Sequence, residues 1–148
     1  MANPFRYSYK AGVEINTKKE LVWKVLTNLD NYHQWNPFTP KIETIWKIGE
    51  PVLLTVQMTK GRSPVLQKEY MSRFIQTDEF AWGMNWSIFL KAERVQRLID
   101  TEPEKTLYFT EDVITGLLSP LVHLIYGKSI QNGFNALAIS LKRHLEAL

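Results

Sequence analysis

Between Phe80 and Ser87 every second residue is apolar and bulky: Phe80, Trp82, Met84 and Trp86 share one side, while Ala81, Gly83, Asn85 and Ser87 share the other. A period of two is the signature of a strand with one buried face. Weaker alternation predicts further strands over residues 5–16, 41–47, 52–59, 66–76, 92–100 and 106–115, with Gly12 marking a bulge in the first. The connections at 48–51, 60–64, 77–79 and 101–105 are short and polar. Connections of hairpin length make neighbouring strands antiparallel.

Two regions break this rhythm. Thr17-Lys18-Lys19-Glu20 has capping-box spacing, and Leu21, Val22, Val25, Leu26 and Leu29 then recur at helical intervals. A further helical turn or two over residues 28–36 ends at Pro37 and Pro40, because each proline biases its predecessor away from helical angles. The other region is the C-terminal stretch. Ser119 reads as an N-cap and Pro120 as the first helical residue. Leu121, Val122, Leu124, Ile125, Phe134, Leu137, Ala138, Leu141 and Leu145 then fall mostly three, four or seven apart, along one face of a helix. That helix is roughly 42 Å long at 1.5 Å per residue, and so long an apolar face requires cover.

Leu121, Ile125 and Leu141 read as packing residues, but the middle of this helix is different. Gly127 and Gly133 each cost about 1 kcal/mol relative to Ala in a helix interior, and Lys128, Ser129, Gln131 and Asn132 lie between them. The segment is expected to bend or to leave room above the sheet. A ligand is then expected against residues 126–134, touching Tyr126, Ile130 and Phe134. The order strand, two helices, strand meander, long helix predicts an α+β fold in which a curved antiparallel sheet covers the last helix and leaves a pocket beneath it.

Composition narrows the function. A chain of 148 residues with 45% hydrophobic content fits a single domain over residues 1–148 with one core. Five Trp, six Tyr and seven Phe suit a well-filled core or a cavity with flat apolar walls. Absence of cysteine excludes disulfides and thiolate chemistry. MANPFRYSYK carries no apolar signal region and no run approaches a membrane span, so the protein is expected in the cytoplasm. A net charge of +3, with Lys and Arg scattered, argues against a nucleic-acid partner. No HExxH, histidine–acid cluster, Gly-rich phosphate loop or G-x-S-x-G occurs, so neither a metal nor another cofactor is expected. Ser119 is better explained as a helix cap than as a nucleophile.

Candidate chemistry lies in the last hairpin. A turn centred on Pro103 pairs residues whose numbers sum to 206, which sets Arg94 opposite Asp112, Gln96 opposite Thr110 and Leu98 opposite Tyr108. If this face points inward, an apolar cavity carries one ion pair and two neutral hydrogen-bonding side chains. The alternative is a partly exposed salt bridge contributing about 0–1 kcal/mol. Phe80, Trp82, Met84 and Trp86 are expected to share the interior with Tyr70, Ser72 and Phe74 of the neighbouring strand. Leu107, Phe109 and Val113 would then point outward, suggesting a homodimer surface or an inverted facing of that strand. Of three histidines, His33 lies near the expected cavity end and His144 reads as surface. His123, in the first turn of the long helix, is a candidate acid or base beside Asp112 and Arg94.

Three stretches resemble the START-like helix-grip superfamily, also called SRPBCC, and most closely its polyketide cyclase/dehydrase-like branch. The first is Val13-Glu14-Ile15-Asn16-Thr17 followed by Val22-Trp23-Lys24-Val25-Leu26 and Tyr32-His33-Gln34-Trp35-Asn36-Pro37. The second runs from Thr106 into Gly116-Leu117-Leu118-Ser119-Pro120, and the third is Gly133-Phe134-Asn135-Ala136-Leu137 through Leu141 to Glu146. The resemblance spans essentially the whole chain. It implies a seven-stranded sheet gripping the C-terminal helix, with two short helices closing one end of a cavity. Members often carry a histidine in the penultimate strand and a glutamate in the last, where this chain has Arg94 and Asp112.

The leading expectation is a protein that binds or transports a small hydrophobic or aromatic molecule, with Tyr70, Phe74, Trp82, Met84, Trp86, Tyr108 and the helix as walls. Arg94, Gln96, Thr110 and Asp112 would orient its polar groups. One alternative is a cyclase/dehydratase-type enzyme acting on a polyketide-like substrate, and another is a protein-interaction module.

Overall fold

The computed structural model of the protein describes residues 3–148. Strand β1 (Arg6–Ile15) leads into helix α1 (Lys19–Thr27) and a 3-10 helix (Leu29–Gln34). Six strands follow, β2 (Lys41–Glu43), β3 (Pro51–Val56), β4 (Val65–Ile75), β5 (Glu79–Trp86), β6 (Leu90–Glu102) and β7 (Lys105–Thr115), and helix α2 (Ser119–Glu146) closes the chain. The strands form one seven-stranded sheet in the order β1-β7-β6-β5-β4-β3-β2, with every neighbouring pair antiparallel. The meander places β7 next to β1, and α2 packs chiefly against β1.

The register of the last hairpin is the one its turn implies. Arg94 faces Asp112, Gln96 faces Thr110 and Leu98 faces Tyr108, with an irregularity only beyond Asp100, next to the turn. This face points inward, since Arg94, Gln96, Leu98, Tyr108 and Thr110 are all buried. Leu107, Phe109 and Val113 lie on the opposite face, half-buried.

Several local expectations are corrected. β1 pairs with β7 without a break, so Gly12 is not a bulge. The bulge lies in β4, between Met71 and Arg73. β2 ends at Glu43, and the chain then turns through Trp46 and Gly49, both at positive φ. The capping sites also shift. Lys18 is the N-cap of α1 and Leu118 that of α2, neither with a side-chain cap. Ser119 instead donates its hydroxyl to the Gly116 carbonyl at 2.7 Å. Gly116 has φ 114°, and a Cβ there would lie 2.5 Å from the Phe89 carbonyl oxygen, so glycine is required where β7 turns into α2.

Helix α2 runs unbroken, but its fully buried large apolar side chains are confined to its later part. Ile130, Phe134, Leu137, Ala138, Leu141 and Leu145 are buried, while Leu121 and Ile125, expected to pack, are more than half exposed. Beneath the sheet end nearest α1, Trp23, Trp46, Phe74 and Phe80 form an aromatic cluster with ring centroids 5.1–5.8 Å apart.

Candidate functional site

A cleft of about 520 Å3 lies between the sheet and α2. From β3 and the segment after it, Leu54, Val56 and Met58 form one wall; β5 contributes Trp82, Met84 and Trp86, and β6 contributes Leu90, Ala92 and Arg94. Asp112 and Ile114 of β7 continue that wall, and Val122, Tyr126, Ile130 and Phe134 of α2 cover it. Val65, Leu66 and Glu69 of β4 flank it. The lining is mainly apolar with few polar groups, the ordinary make-up of a small-molecule site.

One end is closed by the turn before β2. Asn36 is buried, and its Oδ1 accepts from the backbone amides of Phe38 (3.1 Å) and Thr39 (2.8 Å). This side-chain turn holds Phe38 edge-on to Phe134, with centroids 5.6 Å apart and planes at 89°. Phe38 occupies the place a side chain at Gly133 would need, because a Cβ there would lie 2.2 Å from its ring. Gly127 similarly faces the Tyr9 hydroxyl and the His123 ring. The two helix glycines therefore admit protein side chains, and the open space is bounded by Tyr126, Ile130 and Phe134.

The polar groups divide into a satisfied row and an unsatisfied pair. Arg94 Nε donates to Thr110 Oγ1 at 3.0 Å, Thr110 donates to the Val95 carbonyl at 3.0 Å, and the Tyr108 hydroxyl donates to Gln96 Oε1 at 2.6 Å. The Arg94 guanidinium also lies 4.3 Å from the Phe134 ring centroid. Arg94 Nη2 and Asp112 Oδ1 are buried with no hydrogen-bond partner, and the two residues form no salt bridge. Burial pushes the Asp112 carboxyl up to about 6, against the pull of the Arg94 guanidinium. Glu69 is pushed up to about 7, chiefly by burial and also by the Asp112 charge, with Arg94 again opposing.

The chain superposes on Zhui aromatase/cyclase from Streptomyces sp. R1128 with a TM-score of 0.75 at 15% identity, covering 95% of this chain and 94% of that one. A START superfamily protein from Mycobacterium smegmatis matches with a TM-score of 0.68 at 16% identity, covering 95% and 97% of the two chains. A norcoclaurine synthase from Thalictrum matches at 0.69 and 14%, covering 96% and 95%. The chain has a START-like helix-grip fold. No protein-family model matches the sequence, and no curated protein does.

Within this helix-grip fold, the candidate residues Trp82, Met84, Trp86, Arg94, Asp112, Tyr126, Ile130 and Phe134 line the cleft. Five other candidate residues do not. Gln96, Tyr108 and Thr110 are buried on the same inner face but outside the cleft lining, bonded to one another or to Arg94 and Val95. Phe74 belongs to the aromatic cluster. Tyr70 is 47% exposed, because the β4 bulge reverses the facing on its two sides: Met71, not Tyr70, is buried opposite Trp82. Glu69 shares the phase of Met71, which is why alternation counted from Tyr70 overlooks it.

His123 turns away from the cleft. Its Nδ1 lies 2.7 Å from the Tyr9 hydroxyl, and its ring stacks on Tyr7 at 4.2 Å. His33 is exposed, while His144 is half-buried and stacks on Trp35 at 6.4 Å. Among the described residues no cluster of His, Cys, Asp or Glu has metal-binding geometry, and no helix is long and apolar enough to cross a membrane.

Proposed function

We propose that the protein binds a small apolar or aromatic molecule in the cleft between the sheet and α2, as a carrier or sequestering protein. The observation that carries this reading is the pairing of apolar walls with two unmatched polar atoms, Arg94 Nη2 and Asp112 Oδ1. Buried polar groups without partners cost free energy, and a ligand that accepts from one and donates to the other removes that cost. A hydroxyl or phenol group on an otherwise apolar skeleton fits both roles. Trp82 and Met84 offer flat, polarisable contact area for that skeleton.

A second reading is supported by the carboxyl groups. Asp112 and Glu69 line one cleft and titrate near neutrality, as groups that donate and accept protons in acid–base catalysis must. Zhui is named an aromatase/cyclase, and norcoclaurine synthase has been crystallised with dopamine and hydroxybenzaldehyde. A cyclase/dehydratase on a polyketide-like substrate is the enzymatic form of the same site. Native mass spectrometry of protein purified from its own host tests the shared premise. An adduct of small-molecule mass, lost in Arg94→Ala, supports it, and an adduct chemically altered during incubation favours the enzyme. An adduct equally retained by Trp82→Ala and Arg94→Ala would place the molecule elsewhere and contradict the premise.

A further inference from the structure

The mouth of the cleft is ringed by apolar side chains that the fold leaves in water. Within the cleft wall, Leu66, Trp86 and Tyr126 are 80%, 61% and 41% exposed, which locates the opening. Ile88 and Phe89, in the β5–β6 turn, are also exposed. That turn is tied to the β7–α2 junction, where Leu117 and Leu118 donate their amides to the Ile88 and Phe89 carbonyls at 3.0 and 2.8 Å. From this junction the first turns of α2 carry Leu121, Leu124 and Ile125, at 53%, 82% and 57% exposure. A continuous exposed apolar surface of this kind marks an interaction site.

The stretches that carry the rim hold charge of one sign. Residues 53–68, 84–92 and 113–132 contain Lys60, Arg62, Lys68, Lys91 and Lys128 but none of the fifteen Asp and Glu residues of the chain. All five cations are exposed. Among the described residues none joins a salt bridge, although eight salt bridges form elsewhere. Of the acids that flank these stretches, Glu69 and Asp112 belong to the cleft wall, Glu93 accepts from Ser72 Oγ at 2.8 Å, and Glu43 shares a shallow groove with Leu66 and Lys68.

We infer that this rim docks on an anionic lipid bilayer, placing the cleft mouth against the boundary between headgroups and acyl chains. Apolar side chains on separate protrusions insert into such a boundary, while long basic side chains reach the phosphates. A second copy of the chain would instead bring five cations against five, which opposes self-association through this face. A bilayer also yields to protrusions arranged around an opening. Docking would let an apolar ligand pass into the cleft without crossing water, but it does not depend on the ligand-binding reading.

Vesicle flotation tests the inference, using phosphatidylcholine alone and phosphatidylcholine with about 30% phosphatidylglycerol. The protein is expected to bind the anionic vesicles at least about tenfold more strongly than the neutral ones, and to be released by about 0.5 M NaCl. Leu124→Asp combined with Ile88→Asp should lower vesicle binding about tenfold at unchanged melting temperature. Arg94→Ala, a change inside the cleft, should float like the parent even where it has lost a small ligand, so the two proposals fail separately. Equal binding to neutral and anionic vesicles, no binding to either, or indifference to the Asp pair overturns the inference. So does a dimer that the Asp pair dissociates in the absence of any vesicle binding, which would assign the rim to a second copy.

Discussion

Arg94 and Asp112 stand directly opposite each other on β6 and β7, yet they form no salt bridge. The guanidinium is drawn instead to Thr110 Oγ1 and over the Phe134 ring. Each residue is left with one buried polar atom free, and both residues line the cleft. A closed salt bridge there would be inert towards a ligand. The open pair offers a donor and an acceptor within one apolar wall.

Arg94→Met keeps the apolar stem and removes both the charge and the free donor. Binding of a phenolic ligand is expected to weaken by about tenfold or more, the loss of one charge-assisted hydrogen bond. Asp112→Asn keeps the acceptor and should cost less. Isothermal titration with 2-naphthol against naphthalene separates the polar contribution from the apolar one: both substitutions should reduce the preference for 2-naphthol and leave naphthalene affinity nearly unchanged.

The carboxyls make stability depend on pH in a stated direction. Asp112 rises from 3.8 to about 6 and Glu69 from 4.5 to about 7, both chiefly through burial. Between the lower and upper values the folded protein keeps protons that the unfolded chain has released, so stability falls as pH rises through that window. The protein should be more stable near pH 5 than near pH 8, by about 1–3 kcal/mol for the half-buried Asp112. Thermal melts of Asp112→Asn and Glu69→Gln across this range should each show a flatter slope than the parent.

Gly133 is expected to resist substitution despite its place within a helix. Alanine would gain roughly 1 kcal/mol of helix propensity, but its Cβ would lie 2.2 Å from the buried Phe38 ring. Overpacking of that severity costs about 1–3 kcal/mol, so Gly133→Ala should lower the melting temperature. Pairing it with Phe38→Leu should cost less than the sum of the two single changes, because the smaller side chain frees the space.

The β6–β7 register was legible because Pro103 marks the turn and period-two counting runs cleanly back from it. The β4 bulge was not, because no Gly or Pro lies at residues 71–73 to signal it. That single extra residue misplaced Tyr70 and concealed Glu69. The helical period identified the apolar side of α2, but one period cannot separate residues pressed on β1 from those ringing an opening. Leu121 and Leu141 belong to the same pattern and have opposite fates. The caps failed for a different reason: Thr17 and Ser119 have the residue types that cap helices, but the Ser119 hydroxyl goes to the Gly116 carbonyl at the strand–helix junction.

If the cleft holds a ligand, a bulky side chain built into it should displace that ligand. Ala92 lines the wall on β6 without being fully buried, so Ala92→Phe has room to project into the open space. The measurement is a fluorescence titration of parent and variant with the neutral apolar probe N-phenyl-1-naphthylamine, alongside melting curves. The parent should bind saturably at one site, and the variant should lose at least about tenfold in affinity while melting at or above the parent's temperature. Absence of saturable binding to the parent, or equal affinity in a folded Ala92→Phe variant, would show that the cleft is not a ligand site.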